Sequence, residues 1–177
     1  MGRPGTLDHY LPKTSYPHFS ITPENLFPMC TTCQGEKDVT VLAKDGTRAF
    51  VHPYFDHFVV DQVVILTIMP PFNTPTPVLA ARSNLPADEK RLVENHLEEL
   101  GLHHRFPHFF GERHMNLLHL ASDLRQMGQD VRATVLAFQL EARLRGLNTW
   151  EHVFYAGVMA NQPLLMHLEA GELPACI

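Results

Sequence analysis

Within the first 37 residues, side chains able to move protons, hold cations and meet anions stand close together along the chain. Asp8-His9 sets a carboxylate beside an imidazole, Asn25 follows sixteen residues after His9, and Gln34 follows nine after Asn25. Ahead of Gln34, Cys30-Thr31-Thr32-Cys33 spaces two thiols as metal ligands are often spaced, and Lys37 comes three residues later. These residue types suit phosphodiester hydrolysis, which needs a base to deprotonate water and a cation to stabilise charge on the phosphate and leaving oxygen. Oxygen ligands suit hard cations, and a lysine ammonium meets phosphate as a point charge. An Asp-His pair alone is commonplace at protein surfaces. The two cysteines alone are equally a pair of half-buried thiols at a helix start, or a redox pair without the βαβ context usual for that chemistry.

Taken together, Asp8-His9, Asn25-Leu26 and Cys30-x-x-Cys33-Gln34-x-x-Lys37 resemble the HNH endonucleases, whose motif runs D-H, N-L, C-x-x-C-[H/N]-x-x-K on a ββα-metal unit. The phrase DHYLPKTSYPHFSITPENLFPMCTTC, with HPYFD at His52 to Asp56, looks like a bacterial subfamily associated with ATPase-coupled phage defence. The resemblance covers about a third of the chain. It implies DNA as substrate, His9 as general base and Asp8 as a ligand of one Mg²⁺ or Mn²⁺ ion. Gln34, on a short helix, is implied as the second ligand. Asn25 is implied to hold the metal-site loop and the His9 ring, and Lys37 to contact phosphate. Cys30 and Cys33 are implied as half of a structural Zn²⁺ site. For His52-Pro53-Tyr54-Phe55-Asp56 a structural corner is the default, with His52 or Asp56 supporting the metal site from behind as the alternative.

The chain departs from this pattern twice. The family carries His or Asn where Gln34 stands, and a longer, floppier arm is expected to weaken metal binding. Many members also carry a second C-x-x-C upstream of D-H, whereas only seven residues precede Asp8 and none is cysteine. Three explanations stand open: a fold without zinc, a lost N-terminal segment, or substitute ligands from His18, His52 or His57.

Prolines at 4, 12, 17, 23 and 28 allow only short strands and loops closing on one short helix. Val39–Leu42 and Arg48–Val51 flank Lys44-Asp45-Gly46-Thr47, a hairpin signal, and residues 59–69 make the best long strand. Pro70 to Pro77 reads as a loop. From Pro86 the period turns helical. Leu92, Val93, Leu97 and Leu100 share one face of a helix over 87–100 that Gly101 stops. Leu117, Leu120, Ala121 and Leu124 mark a second helix, closed by Gly128. Val131, Val135, Phe138 and Ala142 mark a third, with Leu136, Leu140 and Leu144 suggesting burial on two sides. Asn148 with Glu151 resembles a capping box for a fourth helix through Trp150, Val153, Phe154 and Val158. The expected fold is α+β. It has an HNH-like ββα unit with the following hairpin over residues 1–69, a Pro-rich connection over 70–85 and a helical region over 86–177.

Composition limits the remaining classes. With 177 residues and 45% hydrophobic content the chain can bury one sizeable core. A net charge of −5 argues against a basic nucleic-acid coat, so phosphate contacts must be local or supplied by a partner. That motivates a partner, such as an ATPase, docking on the C-terminal helices. The longest apolar run, Phe58 to Met69, is interrupted by Asp61 and Gln62 and is too short to span a bilayer. No signal segment opens the chain, and three cysteines make no secreted framework, so a cytoplasmic location is expected. His103, His104, His108, His114 and His119 read as surface and core-edge residues, because His114 and His119 are five apart and do not share a helical face. The competing class is a degenerate HNH scaffold that binds nucleic acid or protein without cleaving.

Overall fold

The structure, a computed structural model, describes residues 5–174. It is α+β, and it divides into two compact units, the first made of residues up to Val63 with Ala81–Leu102, the second of Val64–Ala80 with residues from His103 on. Those divisions differ from the expected ones at 69/70 and 85/86.

In the first unit, β1 (Thr6–His9) runs antiparallel to β2 (Leu26–Met29), with Asp8 opposite Phe27 and His9 opposite Leu26. Between them Pro17 and Pro23 open two single 3-10 turns, Pro17–Phe19 and Pro23–Asn25, since proline supplies the backbone angle but no donor. The seven-residue helix α1 (Thr31–Lys37) follows directly, and the Cys30 Sγ caps it by accepting from the Cys33 N–H at 3.5 Å. The short strands and single short helix expected here are present.

The expected hairpin is reduced to one antiparallel bridge, Leu42 to Arg48. Its turn is held by Asp45, whose carboxylate accepts from the Thr47 N–H and hydroxyl. The Arg48 carbonyl and the Thr47 hydroxyl are instead taken by the Asn95 amide on helix α2 (Ala87–Glu99). The next residue of α2, His96, accepts from the Val51 N–H at 3.3 Å. Burial pushes the His96 pKa down to about 4, which keeps the ring neutral and able to accept. These bonds put α2 in the first unit. Leu92, Val93 and Leu97 form its buried face as the period predicts, and Gly101, at φ +60°, ends it in a conformation that favours glycine.

In the second unit, β3 (Val64–Met69) pairs with β4 (Thr76–Ala81). The expected strand over 59–69 is therefore short, because His57–Val60 forms a 3-10 turn. β4 occupies sequence expected to be loop. Four helices complete this unit: α3 (Leu102–Gln126), α4 (Val131–Arg143), α5 (Trp150–Ala160) and α6 (Gln162–Ala170). Leu66, Ile68, Phe106, Phe110, Leu118, Val135, Phe154 and Leu165 are among the residues of its continuous core. Thr149 caps α5, where a capping box at Asn148 was expected, and the Asn148 side chain accepts from the Val64 N–H instead. Asn161 both caps α6 and donates to the Ile68 carbonyl of β3 at 2.8 Å. The expected two-sided burial of α4 is not observed: Leu136, Leu140 and Leu144 are exposed, the last at 87%.

Gly157 shows how α5 meets β3. A Cβ there would lie 2.9 Å from both the Cβ and the carbonyl oxygen of Leu66. Alanine gains about 1 kcal/mol of helix propensity over glycine, yet overpacking of this kind costs about 1–3 kcal/mol, and a strand backbone cannot swing aside. Gly157→Ala should lower the urea midpoint, and Gly157→Val should lower it further. A raised midpoint in either variant would mean that α5 is not seated on β3.

No helix among the described residues is long and apolar enough to cross a membrane.

Candidate active site

Strand alternation puts Thr6 and Asp8 on one face of β1, and the three-residue step of a helix puts Gln34 and Lys37 on one face of α1. The two faces meet. The Gln34 Nε2 lies 3.4 Å from Asp8 Oδ1, the Lys37 Nζ 3.3 Å from Asp8 Oδ2, and the Thr6 hydroxyl 2.9 Å from Gln34 Oε1. Asp8 is buried, and its Oδ2 accepts no hydrogen bond, having only the lysine charge beside it.

The orientation of the Gln34 amide bears on metal binding. Thr6 has one hydroxyl proton and cannot serve both the Met29 carbonyl at 3.1 Å and Gln34 Oε1. With the amide turned over, its NH₂ donates to Thr6, Thr6 donates to Met29, and the Gln34 carbonyl oxygen faces Asp8. That orientation gives up the Gln34 Nε2 donation to Asp8 Oδ1 and sets two oxygens side by side, so it is favoured only when a cation is bound between them. Asp8 and, with its amide turned, Gln34 offer two oxygens of the type that hard cations take, and among the described residues no third His, Cys, Asp or Glu joins them.

His9 is half-buried, and its Nε2 lies 3.0 Å from the Ser20 carbonyl. A carbonyl only accepts, so Nε2 carries the proton and Nδ1 keeps the lone pair. Asn25 fixes the loop between the strands. Its side chain accepts from the Leu11 N–H at 2.7 Å and donates to the carbonyls of Leu11 and Phe19, both at 3.1 Å. Among the described residues it does not bond the His9 ring; it steadies Phe19, next to the Ser20 that does.

Lys37 does not meet the expectation of a phosphate contact. Its side chain is 1% exposed, and Nζ donates to the His9 carbonyl at 2.7 Å as well as facing Asp8. It has no surface to offer a phosphate and serves as the buried counter-charge of Asp8.

Among the described residues His52 and Asp56 make no bond to Asp8 or Gln34. Asp56 accepts from the His52 N–H at 2.6 Å and from Arg48 at 2.7 Å, closing the HPYFD corner. The His52 ring packs at a tilt between Tyr10 and Phe55, at 4.3 and 4.5 Å between centroids, and accepts from the Tyr54 N–H. Burial lowers its pKa, and a hydrogen bond to the backbone of Glu24 works against that shift. His52 thereby touches the turn that carries Asn25.

Cys30 and Cys33 are buried thiols, and Cys30 serves as the cap of α1. A closed zinc site takes four ligands. Among the described residues no group of three or more His, Cys, Asp or Glu comes together to hold a metal, and His18, His52 and His57 do not join the pair. The residues described here do not fit a zinc centre on their own; Cys176 lies outside them.

Sequence reasoning did not single out Thr6 or Ser20. Thr6 was within reach, because it shares the β1 face of Asp8. Ser20 acts through its carbonyl, which any residue has, so no side-chain signal marks it.

No family model matches the chain, and no solved structure matches it. Among curated proteins it is similar to "Protein ea31" of Escherichia phage lambda, 39% identical over 56 residues. That stretch is 32% of this chain and 19% of the phage protein, so the chain matches less than two thirds of its relative's length.

Proposed function

We propose that the chain is a metal-dependent HNH-type endonuclease acting on DNA, with His9 as general base and Asp8 and Gln34 as ligands of Mg²⁺ or Mn²⁺. The observation that carries this reading is the approach of Asp8 and Gln34 to 3.4 Å across a strand–strand–helix unit, next in the chain to a histidine whose Nδ1 keeps its lone pair. Nδ1 of His9 takes a proton from water as it attacks the phosphorus. The Ser20 carbonyl holds the ring during that step and stabilises the imidazolium, since Nε2–H remains its donor. A bound divalent cation would supply neutralisation of charge on the phosphate and the leaving oxygen. Asn25 positions the loop, and Lys37 positions Asp8 and the His9 backbone. A cytoplasmic location and an ATPase partner engaging the helical half belong to the same proposal.

Cleavage of supercoiled plasmid by the purified chain in Mg²⁺, Mn²⁺ and EDTA tests it. Nicking or linearisation that EDTA stops is the expected result; no cleavage with either metal counts against a self-sufficient nuclease.

A second reading, a scaffold that binds without cleaving, is favoured by Gln34 in place of His or Asn. Gln34→His separates the two. An imidazole on a shorter, stiffer arm should tighten Mn²⁺ binding by about tenfold or more if the rest of the site is intact, roughly the effect of one good ligand contact. Cleavage should rise with it. Metal titration and plasmid nicking both unchanged by Gln34→His would favour the binding scaffold.

A further inference from the structure

The first unit holds a cavity of about 770 Å³ beside the HPYFD corner, walled by Arg48, Phe55 and Phe58 on one side and Asp88, Glu89 and Arg91 of α2 on the other. Its size falls within the range of small-molecule sites. Its chemistry is that of a nucleotide pocket. The Phe55 ring is 61% exposed, although its other side packs on His52, so it offers a free face held in place from behind. Arg91 is exposed and able to meet a phosphate. Both Asp56 oxygens are occupied by Arg48 and His52, so the acceptors left to a ligand are the carboxylates of Asp88 and Glu89. Neither of those has a hydrogen-bond or ion-pair partner among the described residues, and Glu89 is the more enclosed of the two.

A ring stack connects this cavity to the candidate active site. Tyr10, the neighbour of His9, packs on His52, and His52 packs on Phe55. These contacts set the cavity two ring contacts away from Tyr10, the residue that follows His9, within the same unit.

We propose that this cavity receives an unpaired guanine of the DNA strand, stacked on Phe55 with its base edge on the Glu89 carboxylate and its phosphate on Arg91. Guanine is the base whose Watson–Crick edge presents two adjacent donors, N1–H and the N2 amino group, which match the two oxygens of one carboxylate. Adenine and cytosine present one amino group beside an acceptor, and thymine a single N–H between two carbonyls. The pocket therefore favours strands that are open near the cut, such as single strands and flaps, over continuous duplex. The proposal rests on the nuclease reading for its ligand class, a DNA strand, and its test reads binding instead of cleavage.

Fluorescence anisotropy of the full chain in EDTA, with a labelled short oligothymidine and the same strand carrying one central guanine, tests it. The guanine strand should bind roughly 5- to 100-fold tighter, the range of one bidentate base contact. Phe55→Ala should weaken guanine-strand binding by roughly 5- to 150-fold, as loss of one stacked base does. Glu89→Gln, which replaces one oxygen by a donor, should bring the ratio of the two affinities to about one, and loss of its negative charge should tighten both strands alike. Its side chain lies at the surface of the helix, so it keeps the test valid should Phe55→Ala unfold. Equal affinity for the two strands, or a guanine preference that survives Glu89→Gln, would overturn the proposal. Plasmid cleavage without guanine preference removes the pocket and leaves the nuclease; guanine preference without cleavage removes the catalytic reading and leaves the pocket.

Discussion

Replacement of His9 by alanine is expected to reduce metal-dependent plasmid nicking by roughly 100- to 10,000-fold, the usual contribution of a general base. The same change should leave the fold nearly as stable as before. Among the described residues the His9 side chain makes one hydrogen bond, to the Ser20 carbonyl, and it is only half-buried. Losing one such bond costs about 0.5–1.5 kcal/mol. The Asn25 bonds to Leu11 and Phe19 persist, so the loop keeps its shape without the ring. A large fall in rate beside a small fall in urea midpoint therefore separates a chemical role from a structural one. Nicking that stays EDTA-sensitive and undiminished in His9→Ala would remove His9 as the base.

Some of this arrangement was legible in the sequence, and the parts that were not have identifiable causes. The apolar faces of α2 and α4 follow a helical period, and their extents agree with the buried residues Leu92, Val93, Leu97, Val131, Val135 and Ala142. Proline spacing likewise foretold the broken backbone between β1 and β2. The start of α3 was hidden because Leu102 to Phe110 carries histidines, an arginine and Pro107 inside what is nonetheless a helix. β4 was hidden by Pro75 and Pro77, since a two-stranded sheet leaves room for a proline that a central strand would not. The exposed stripe Leu136, Leu140, Leu144 marks a general limit: periodicity reports that a face is apolar, not what covers it. At the site, the resemblance implied that Gln34 comes opposite Asp8, and strand and helix periods do bring the two side chains to 3.4 Å. It misjudged Lys37, because charge alone suggests a surface, whereas a partner 29 residues earlier in the chain draws this ammonium inside.

That lysine carries the largest expected effect on stability. Lys37→Met keeps most of the buried volume but removes the ammonium paired with Asp8 Oδ2 and the donor to the His9 carbonyl. Breaking a buried pair by removing one partner typically costs about 3–5 kcal/mol, because the remaining charge is stranded away from water. With a urea dependence of about 1–3 kcal/mol per molar, the midpoint of the first unit should fall by about 1 M or more. Adding Asp8→Asn removes the stranded charge, so the double variant should recover part of the loss, and the cycle measures the coupling. Magnesium then links this stability to function. If Asp8 is a metal ligand, the carboxylate freed by Lys37→Met has lost the cation that competes for it. Mg²⁺ should therefore raise the midpoint of Lys37→Met more than that of the parent chain, because a ligand that binds only the folded state stabilises it according to its affinity. The double variant should gain nothing. An unchanged midpoint in Lys37→Met would contradict the buried ion pair, and equal Mg²⁺ shifts in Lys37→Met and the double variant would exclude Asp8 as the ligand while leaving its structural role intact.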